Sequence, residues 1–552
     1  MYKNLGKMTA LTLSASLVLA ACSTSGGGKS EGGSGEDGED KQVLNLSAAS
    51  DIPTMNSALA TDSASTSVLG QTQEGLYSLG KDDKIEEGVA EGEPEVSEDK
   101  KTYTIKLRED AKWSNGDAVT AKDFVFAWQT ALNPETGSEF AYFLYDIKNA
   151  EAINSGDKKV DELGVKAVDD QTLEIELEKP VPYFQQLLTF PTFYPLNEKF
   201  YNEQDGKYGT SKDKTLYNGP FVLNNWETES KYQLTPNEEY WDKDAVNLDE
   251  VNFQIVKDVQ TGINLYETGK IDITGLSAEH VDSYKEDENF ETDLRASTFY
   301  FVFNLENETL KNENVRQAIA QSIDKEKYVS SNRNNGSKAY DKFTPSELVE
   351  SEGGEEYTEG VEAPYSYNPE AAKKAWEKAK EELGKDEITI ELLTFDQDSA
   401  KTDAEYFQSQ LEQNLDGLSL KIKQQPFKQK IALEDKGQFE IGFSGWGADY
   451  PDPLSFLEIL TTGNNQNSSG WSNPEYDKAI ESAKGDLATK PEERIKALQE
   501  AEALMLKDAP VMPLYQTGAA YLQQPYIKDY HRHKFGVDFS LKTTSIEGKE
   551  SK

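Results

Sequence analysis

The sequence predicts an α/β protein whose large lobes enclose a cleft, and three observations support this. Segments that alternate in hydrophobicity, as strands do, lie between segments with the 3.6-residue period of amphipathic helices. About 510 residues follow the N-terminal leader, which predicts two or three domains rather than one core. Aromatic residues are abundant (27 Tyr, 23 Phe and 7 Trp), so the body has apolar surface both for packing and for a ligand.

The sequence pattern of residues 1–21 predicts an export signal. Lys3 and Lys7 precede an uncharged apolar run that is too short for a permanent membrane span. The run ends in Leu-Ala-Ala before Cys22, which resembles a bacterial lipobox, and Cys22 is the single cysteine of the chain. A lone cysteine in an exported chain has no disulfide partner, so we expect cleavage before Cys22 and lipid attachment to it. The alternative is an ordinary signal peptide with a chance cysteine.

Residues 22–40 predict a flexible tether. After Cys22 they are almost entirely Ser, Gly, Thr, Lys, Glu and Asp, which cannot bury enough surface to fold. With two or three acyl chains on Cys22, the body would stay anchored at the outer, extracytoplasmic face of the cell membrane. This arrangement indicates a Gram-positive-type cell with a single membrane.

The body alternates between predicted strands and helices. A helix is expected to begin after Asn368, with Pro369 at its first position, and to end at Gly384. Apolar residues at helical spacing predict two more helices, at 314–323 and 491–506. Alternating or apolar runs predict strands at 101–107, 170–177, 221–226, 232–235, 251–256, 388–392 and 439–443.

Composition excludes several partners. The formal net charge of −43 argues against nucleic acid or an anionic lipid surface. No later apolar run approaches 18 residues, so no further membrane span is predicted.

Motifs for catalysis are missing from the sequence. The chain has three histidines, His280, His531 and His533. The last two would share one face of an extended segment, but no third ligand is nearby in the sequence, so no metal site is predicted. No nucleophile elbow, phosphate-binding glycine loop or HExxH occurs, and no cofactor is expected. A hydrolase that uses a pair of carboxylates stays open, because 100 Asp and Glu residues would hide such a pair.

The internal motif that carries most information is FSGWGADYPDP, residues 443–453. Trp446 lies between Gly445 and Gly447, near the predicted exit of strand 439–443, and Asp449 follows. Glycines allow another backbone to approach, the indole offers a flat wall, and the carboxylate offers charge to a cation. The alternative is a turn in which Asp449 and Asp452 cap local backbone amides.

Five segments together resemble the extracytoplasmic oligopeptide-binding proteins of peptide ABC importers, a group within the bacterial extracellular solute-binding proteins of family 5 (peptide/nickel-binding type). The resemblance is collinear over residues 41–530. The segments are TYTIKLREDAKWSNGDAVTAKDFVFAWQ (102–129), PVPYF (180–184), NGPF (218–221), NVRQAIAQSIDKE (314–326) and GWGADYPDP (445–453).

The resemblance implies a periplasmic-binding-protein-like fold of type II, with two lobes that close on a cleft and an extra inserted domain. Domain I would combine residues 41–73, 197–304 and 512–552. Domain II would be the insertion at 74–196, and domain III would span 305–511. The protein would be a monomer and not an enzyme.

The resemblance also implies the roles of the residues in the internal motif. Asp449 would pair with the α-ammonium group of a peptide, which is largely protonated at neutral pH. Gly445, Trp446 and Gly447 would line the peptide backbone, which would pair as an added strand. Backbone pairing gives affinity without reading side chains, so many peptide sequences would fit.

Four aligned positions depart from the enteric members that prefer very short peptides. Thr61, Phe190 and Phe443 stand where polar or ionisable groups receive the peptide C-terminus or line the cleft, and Phe140 stands in place of a tyrosine. We therefore expect the peptide C-terminus not to be read here, so that longer and more apolar peptides fit.

The expected partners are oligopeptides and an integral-membrane ABC permease with two cytoplasmic ATPases. Two other ligand classes stay open: one specific apolar signalling peptide (a pheromone), and other ligands of the family such as sugars or metal chelates.

Overall fold

The computed structural model describes residues 41–351 and 353–549. The predicted signal peptide, Cys22 and the tether lie outside these residues. From Gln42 onward the chain forms one contact unit. The domain boundaries inside this unit stay a prediction.

The strands are numbered in chain order. They are β1 (Val43–Ala48), β2 (Tyr77–Leu79), β3 (Ile85–Glu87), β4 (Glu95–Val96), β5 (Thr102–Lys106), β6 (Val165–Asp169), β7 (Thr172–Glu176), β8 (Phe221–Glu227), β9 (Lys231–Pro236), β10 (Glu250–Ile255), β11 (Ile273–Leu276), β12 (Phe290–Phe303), β13 (Lys338–Ala339), β14 (Ile388–Phe395), β15 (Leu418–Gln425), β16 (Ile441–Gly447), β17 (Val511–Gln523), β18 (Ile527–Lys528), β19 (His531–Arg532), β20 (Phe539–Ser540) and β21 (Ser545–Ile546).

The α-helices are numbered in the same way. They are α1 (Ser63–Thr72), α2 (Ala121–Leu132), α3 (Ala150–Asn154), α4 (Phe184–Leu187), α5 (Glu198–Glu203), α6 (Val259–Glu267), α7 (Ala278–Tyr284), α8 (Glu313–Ser322), α9 (Lys325–Tyr328), α10 (Pro369–Leu383), α11 (Asp398–Asn414), α12 (Phe427–Asp435), α13 (Leu454–Leu457), α14 (Pro474–Lys484) and α15 (Pro491–Asp508). The α/β class predicted from the sequence is confirmed.

Helix α10 shows why the local prediction succeeded. The Asn368 side chain accepts a hydrogen bond from the Ala371 amide at 3.0 Å, and Pro369 occupies the first turn. Gly384 ends the helix in the left-handed region, at φ 64°. Trp376 points into the core and is fully buried. Helices α8 and α15 likewise lie where the sequence predicts them.

Three sheets organise the body. One has the order β1-β10-β9-β8, and a second has the order β4-β5-β7-β6. The largest follows the order β11-β17-β12-β16-β14-β15, and β13 pairs with β17. In it, β14 and β15 are parallel, whereas β12 is antiparallel to both β16 and β17.

The sequence predicted β16 too early in the chain. It was expected at 439–443 with the glycines at its exit, but it spans Ile441–Gly447, so Gly445 and Gly447 lie inside the strand. The reason is tertiary: β12 offers a continuous partner from Phe303 to Ser297, and this pairing keeps the glycines extended.

Two features of the described residues, 41–351 and 353–549, bear on function. No helix among them is long and apolar enough to cross a membrane. No group of three or more His, Cys, Asp or Glu side chains in the same ranges could hold a metal ion. The His533 ring lies 2.9 Å from an Asp83 oxygen and 2.7 Å from the Ser540 hydroxyl, which is a structural arrangement.

Candidate ligand-binding edge

Strand β16 is fully paired on one side only. Its residues from Ile441 to Gly447 all face partners on β12. On the other side, β14 pairs only with Ile441 and Gly442. Residues 443–447 therefore present a strand edge that no strand of the described chain occupies. This stretch is called the open edge below.

The backbone groups that point to the open edge can be identified from the ladder. The Asn304 amide donates to Glu440 O at 2.9 Å, and the Ala448 amide donates to Ala296 O at 2.8 Å. Antiparallel pairs alternate between bonded and non-bonded positions, so the even-numbered residues between 440 and 448 bond to β12. The amide and carbonyl groups of Phe443, Gly445 and Gly447 therefore point toward the open edge.

The two glycines differ in what surrounds them. A Cβ on Gly445 would lie 2.7 Å from a ring carbon of Phe299, so only glycine packs there without displacing the ring. A Cβ on Gly447 would have Ser297 Cβ as its nearest neighbour, at 3.7 Å. Gly445 thus serves the packing of the sheet, whereas Gly447 leaves open space beside the edge.

Ser455 holds Trp446 and Asp449, two of the predicted site residues, at the end of the strand. The Trp446 indole donates to the Ser455 carbonyl at 2.7 Å, and the Asp449 amide donates to the Ser455 hydroxyl at 2.8 Å. Trp446 lies half-buried opposite Thr298 on β12. Ser455 therefore fixes the indole ring relative to the backbone of Asp449.

The turn after the strand is anchored by a buried ion pair. Two of the three guanidinium nitrogens of Arg494, Nη1 and Nη2, donate to the Asp452 carboxylate, at 2.7 and 2.8 Å. Asp452 also accepts from the Leu454 amide at 3.0 Å. The capping alternative thus holds for Asp452, whereas no described hydrogen bond or ion pair is made by the Asp449 carboxylate.

The Asp449 carboxylate is a partly buried negative charge without a positively charged partner among the described residues. It is half-buried, and no cationic group of the described residues lies within 4.0 Å of it. Burial, followed by the charge of Glu458, raises its pKa to about 6. Glu458 itself is paired with Lys484 at 2.6 Å.

An aromatic cluster surrounds two of the predicted site residues. The ring centroids of Phe140 and Phe143 are 5.4 Å apart. The centroid of Phe190 lies 5.0 Å from that of Phe143 and 6.3 Å from that of Phe535. Tyr142 stacks on Phe143 at 4.6 Å. Partial burial and then the charge of Asp449 raise the pKa of Tyr142, which places this exposed tyrosine within electrostatic reach of the carboxylate.

A large cavity opens beside Pro451 and Asp452, which follow Asp449 in the chain. Its volume is about 930 Å³, and its lining includes Lys84, Pro182, Tyr183, Glu347, Pro451 and Phe535. The lining combines parts of the chain that the sequence assigned to all three domains.

Two predicted site residues are placed differently from the rest. The Phe443 side chain is 2% exposed and packs against Phe299, Phe301 and Phe407. Its ring belongs to the core because side chains alternate across a strand, so it does not line a cleft, and only its backbone faces the open edge. Thr61 is exposed just before Asp62, the N-cap of α1, and no described contact joins it to the Asp449 group.

Sequence reasoning missed Ser455, Tyr142 and Phe535. Ser455 follows Asp449 by six positions, and Tyr142 follows Phe140 by two, so both lay within reach of the motifs already singled out. Phe535 could be found only from the fold.

Comparison with known proteins identifies the family of the chain. A profile described as "Bacterial extracellular solute-binding proteins, family 5 Middle" matches residues 84–468. The chain is 33% identical to the dipeptide-binding protein of Lactococcus lactis subsp. cremoris (strain MG1363), over 99% of each chain.

Two solved structures are similar over nearly their whole length. One is the substrate-binding domain of an oligopeptide ABC transporter from Bacillus anthracis, with 44% identity and a TM-score of 0.77 over 92% of this chain and 99% of that one. The other is the pheromone receptor PrgZ, described with its mode of peptide binding, with 36% identity and a TM-score of 0.76 over 92% and 100%. The chain therefore belongs to family 5 of the bacterial extracellular solute-binding proteins, which act outside the cytoplasm and are not enzymes.

Proposed function

We propose that this protein captures oligopeptides, pairing their backbone with the open edge of β16 and their α-ammonium group with Asp449. The observation that carries the proposal is the combination of an unpaired edge at residues 443–447 with a half-buried carboxylate that has no cation within 4.0 Å among the described residues.

The physical argument favours peptides over other solutes. A strand edge offers alternating donors and acceptors at the spacing of an extended peptide. An α-amine has a pKa of about 7.7–8, so it is protonated at neutral pH and brings the charge that Asp449 lacks. Sugars and metal chelates have no comparable reason to need this carboxylate.

The names of the relatives support delivery to a transporter. The dipeptide-binding protein and the substrate-binding domain of the oligopeptide ABC transporter are both similar to this chain over nearly its whole length. In the proposed cycle, the protein releases its peptide to an ABC permease. The two cytoplasmic ATPases of that permease hydrolyse the ATP.

The proposal includes an anchor at Cys22. The single cysteine, the lipobox-like sequence before it and the residues up to 40 support a monomeric lipoprotein on the outer face of a Gram-positive-type membrane. Substitution of Cys22 by alanine should release the protein from membranes into the medium. Retention of the variant on washed membranes would contradict the anchor.

Closure of one lobe on another is also proposed. Strand β12 ends at Phe303 and β17 begins at Val511, close to the predicted boundaries at 304/305 and 511/512. These two paired strands are the connections through which residues 305–511 would move against the rest. The residues at 74–196 would form the inserted domain.

The decisive experiment compares Asp449→Asn with the wild type in titrations with tri-alanine. Asparagine keeps the shape and removes the charge, so we expect a loss of about 2–5 kcal/mol of binding free energy. Asp213→Asn, at an exposed site, is the matched control and should bind as the wild type does.

N-acetylated tri-alanine adds an independent control. Acetylation removes the ligand charge, so the wild type should bind it weakly, and Asp449→Asn should lose little more. Equal binding of free and acetylated peptide by the wild type would contradict the Asp449 contact.

A second candidate is a receptor for one specific apolar signalling peptide. The apolar cluster of Phe140, Phe143 and Phe190 and the similarity to PrgZ favour it. Mass spectrometry of the peptides that co-purify with residues 41–552 separates the two. A ladder of many peptides supports the general importer, whereas one dominant apolar peptide supports the receptor.

A further inference from the structure

A group of four charged side chains lies where predicted domain II meets predicted domain III. They are Asp146 and Lys179 of domain II, with Glu458 and Lys484 of domain III. Burial, followed by the charges of Asp146 and Glu458, raises the pKa of Tyr183. One carboxylate from each domain therefore lies within electrostatic reach of the same ring. The four side chains are called the junction charges below.

The two sides of this junction differ in how their charges are paired. In domain III, the Lys484 ammonium lies 2.6 Å from a Glu458 carboxylate oxygen. In domain II, Asp146 and Lys179 are both half-buried, and no oppositely charged group of the described residues lies within 4.0 Å of either. A charge that is partly removed from water without a partner costs free energy. Domain II therefore presents two charges that this arrangement leaves unpaired.

The two unpaired charges respond to the charges that face them. Burial raises the pKa of Asp146 and lowers the pKa of Lys179. Across the junction, the Lys484 charge lowers the pKa of Asp146, and the Glu458 charge raises the pKa of Lys179. Each charge of domain II therefore lies within electrostatic reach of an attractive partner in domain III.

A cavity separates the two sides of the junction. Its volume is about 520 Å³, and it is lined by Lys179 and by residues between 458 and 485, which include Glu458 and Lys484. The cavity is space through which the two sides can approach each other. Such an approach brings Lys179 toward Glu458 and Asp146 toward Lys484. It therefore offers a partner in domain III to each charge that lacks one.

Closure of domain III on a bound peptide is a movement that can narrow this cavity. We propose that Asp146 and Lys179 are positioning residues for peptide retention. Once a peptide is bound, Lys179 pairs with Glu458, and Asp146 pairs with Lys484 in the same closed form. The inference rests on the proposed function and deepens it, because it assigns the release rate of the peptide to charges that do not contact the peptide.

The experiment measures the rates of binding and release by stopped-flow fluorescence. The probe is tri-alanine extended at its C-terminus by a lysine that carries fluorescein, so the α-ammonium group stays free. Lys179→Met should raise the release rate about tenfold and change the association rate less than about twofold, because only the closed form loses an ion pair. Asp146→Asn should act in the same direction. Lys199→Met, at an exposed site, is the matched control and should leave both rates unchanged.

Further measurements distinguish this role from a merely structural one. Without peptide, Lys179→Met should not lower the unfolding temperature, since it removes a half-buried charge that has no partner. With saturating peptide, the variant should gain less stability than the wild type gains. In a Glu458→Gln background, Lys179→Met should no longer speed release, because the partner has gone. Lys179→Arg keeps the charge and should release peptide at nearly the wild-type rate.

Three outcomes would overturn the inference. They are a Lys179→Met variant that releases peptide at the wild-type rate, an effect of Lys179→Met that persists undiminished in the Glu458→Gln background, and a lower unfolding temperature of Lys179→Met without peptide. A wild type that binds neither tri-alanine nor the labelled probe would instead overturn the proposed function, and the inference with it.

Discussion

Tyr183 and Tyr450 stack face to face, with ring centroids 4.2 Å apart and planes within 6° of each other. Tyr450 directly follows Asp449, and its hydroxyl donates to Glu458 at 2.8 Å. Tyr183 lies far away in the sequence, within the predicted inserted domain. The stack therefore holds Tyr450, the residue next to Asp449, against a part of the chain that is distant in sequence.

Loss of this stack should cost both stability and affinity. Tyr183→Ala removes a buried ring and leaves a cavity, so we expect the free energy of unfolding to fall by about 3 kcal/mol. Peptide affinity should fall as well, because the Asp449 turn loses its support. Urea denaturation and peptide titration measure the two effects. Tyr183→Phe keeps the ring and should stay close to the wild type, and equal losses in the two variants would contradict the role of the stack.

Peptide affinity should depend on pH through Asp449. Its pKa in the ligand-free protein is raised to about 6, while the peptide ammonium stays protonated below a pKa of about 7.7–8. Affinity should therefore change little from pH 7.5 to 6.5. Below pH 6 it should decrease, and the decrease should approach about tenfold for each pH unit. Titrations in buffers across this range provide the measurement.

Asp449→Asn is the control for this pH dependence. The variant should show weak binding that is nearly independent of pH, since the group that titrates has gone. Without ligand it should be more stable than the wild type at pH 7.5. A carboxyl whose pKa is raised in the fold contributes stability below its unfolded pKa, near 4, and loses it as pH rises through 6. An acid-dependent loss of affinity that persists in Asp449→Asn would assign the titration to another group.

Alanine substitutions at the two strand glycines should have different effects. Gly445→Ala places a Cβ 2.7 Å from the Phe299 ring, so it should destabilise the protein by about 1–3 kcal/mol. Gly447→Ala has room and should leave stability unchanged, yet its methyl group lies beside the open edge and should weaken peptide binding. Thermal unfolding together with titration distinguishes them, and unaltered binding by Gly447→Ala would argue against backbone pairing at that residue.

The buried pair of Asp452 and Arg494 predicts a large effect from a single substitution. Arg494→Met leaves the Asp452 charge buried without a partner and should cost about 3–5 kcal/mol of unfolding free energy. Asp452→Asn combined with Arg494→Met removes both charges and should recover part of that loss. Urea denaturation of both variants tests this, and a double variant no more stable than the single one would contradict it.

Local signals explain what could be predicted from the sequence. Helix α10 carries its own cap, first-turn proline and terminal glycine, so its bounds depended on few distant contacts. Gly445, Trp446, Gly447 and Asp449 lie within five positions, and a single turn places them together. Their proximity could therefore be foreseen without the fold.

Long-range pairing explains what could not be predicted. The burial of Phe443 depends on Phe301 and Phe407, which lie 142 and 36 positions before it. The open edge exists because β14 pairs with only two residues of β16, and no sequence pattern shows where a parallel strand stops pairing. The Tyr183–Tyr450 stack likewise joins residues 267 positions apart.

The short overlap between β14 and β16 also bears on solubility. An unpaired strand edge is a template on which identical chains can join into aggregates. Here the unpaired stretch is only residues 443–447, it contains two glycines, and the Asp449 carboxylate follows it two residues later. A chain with a formal charge of −43 also repels its own copies. The protein can thus keep an edge free for its ligand while giving other sheets little length on which to grow.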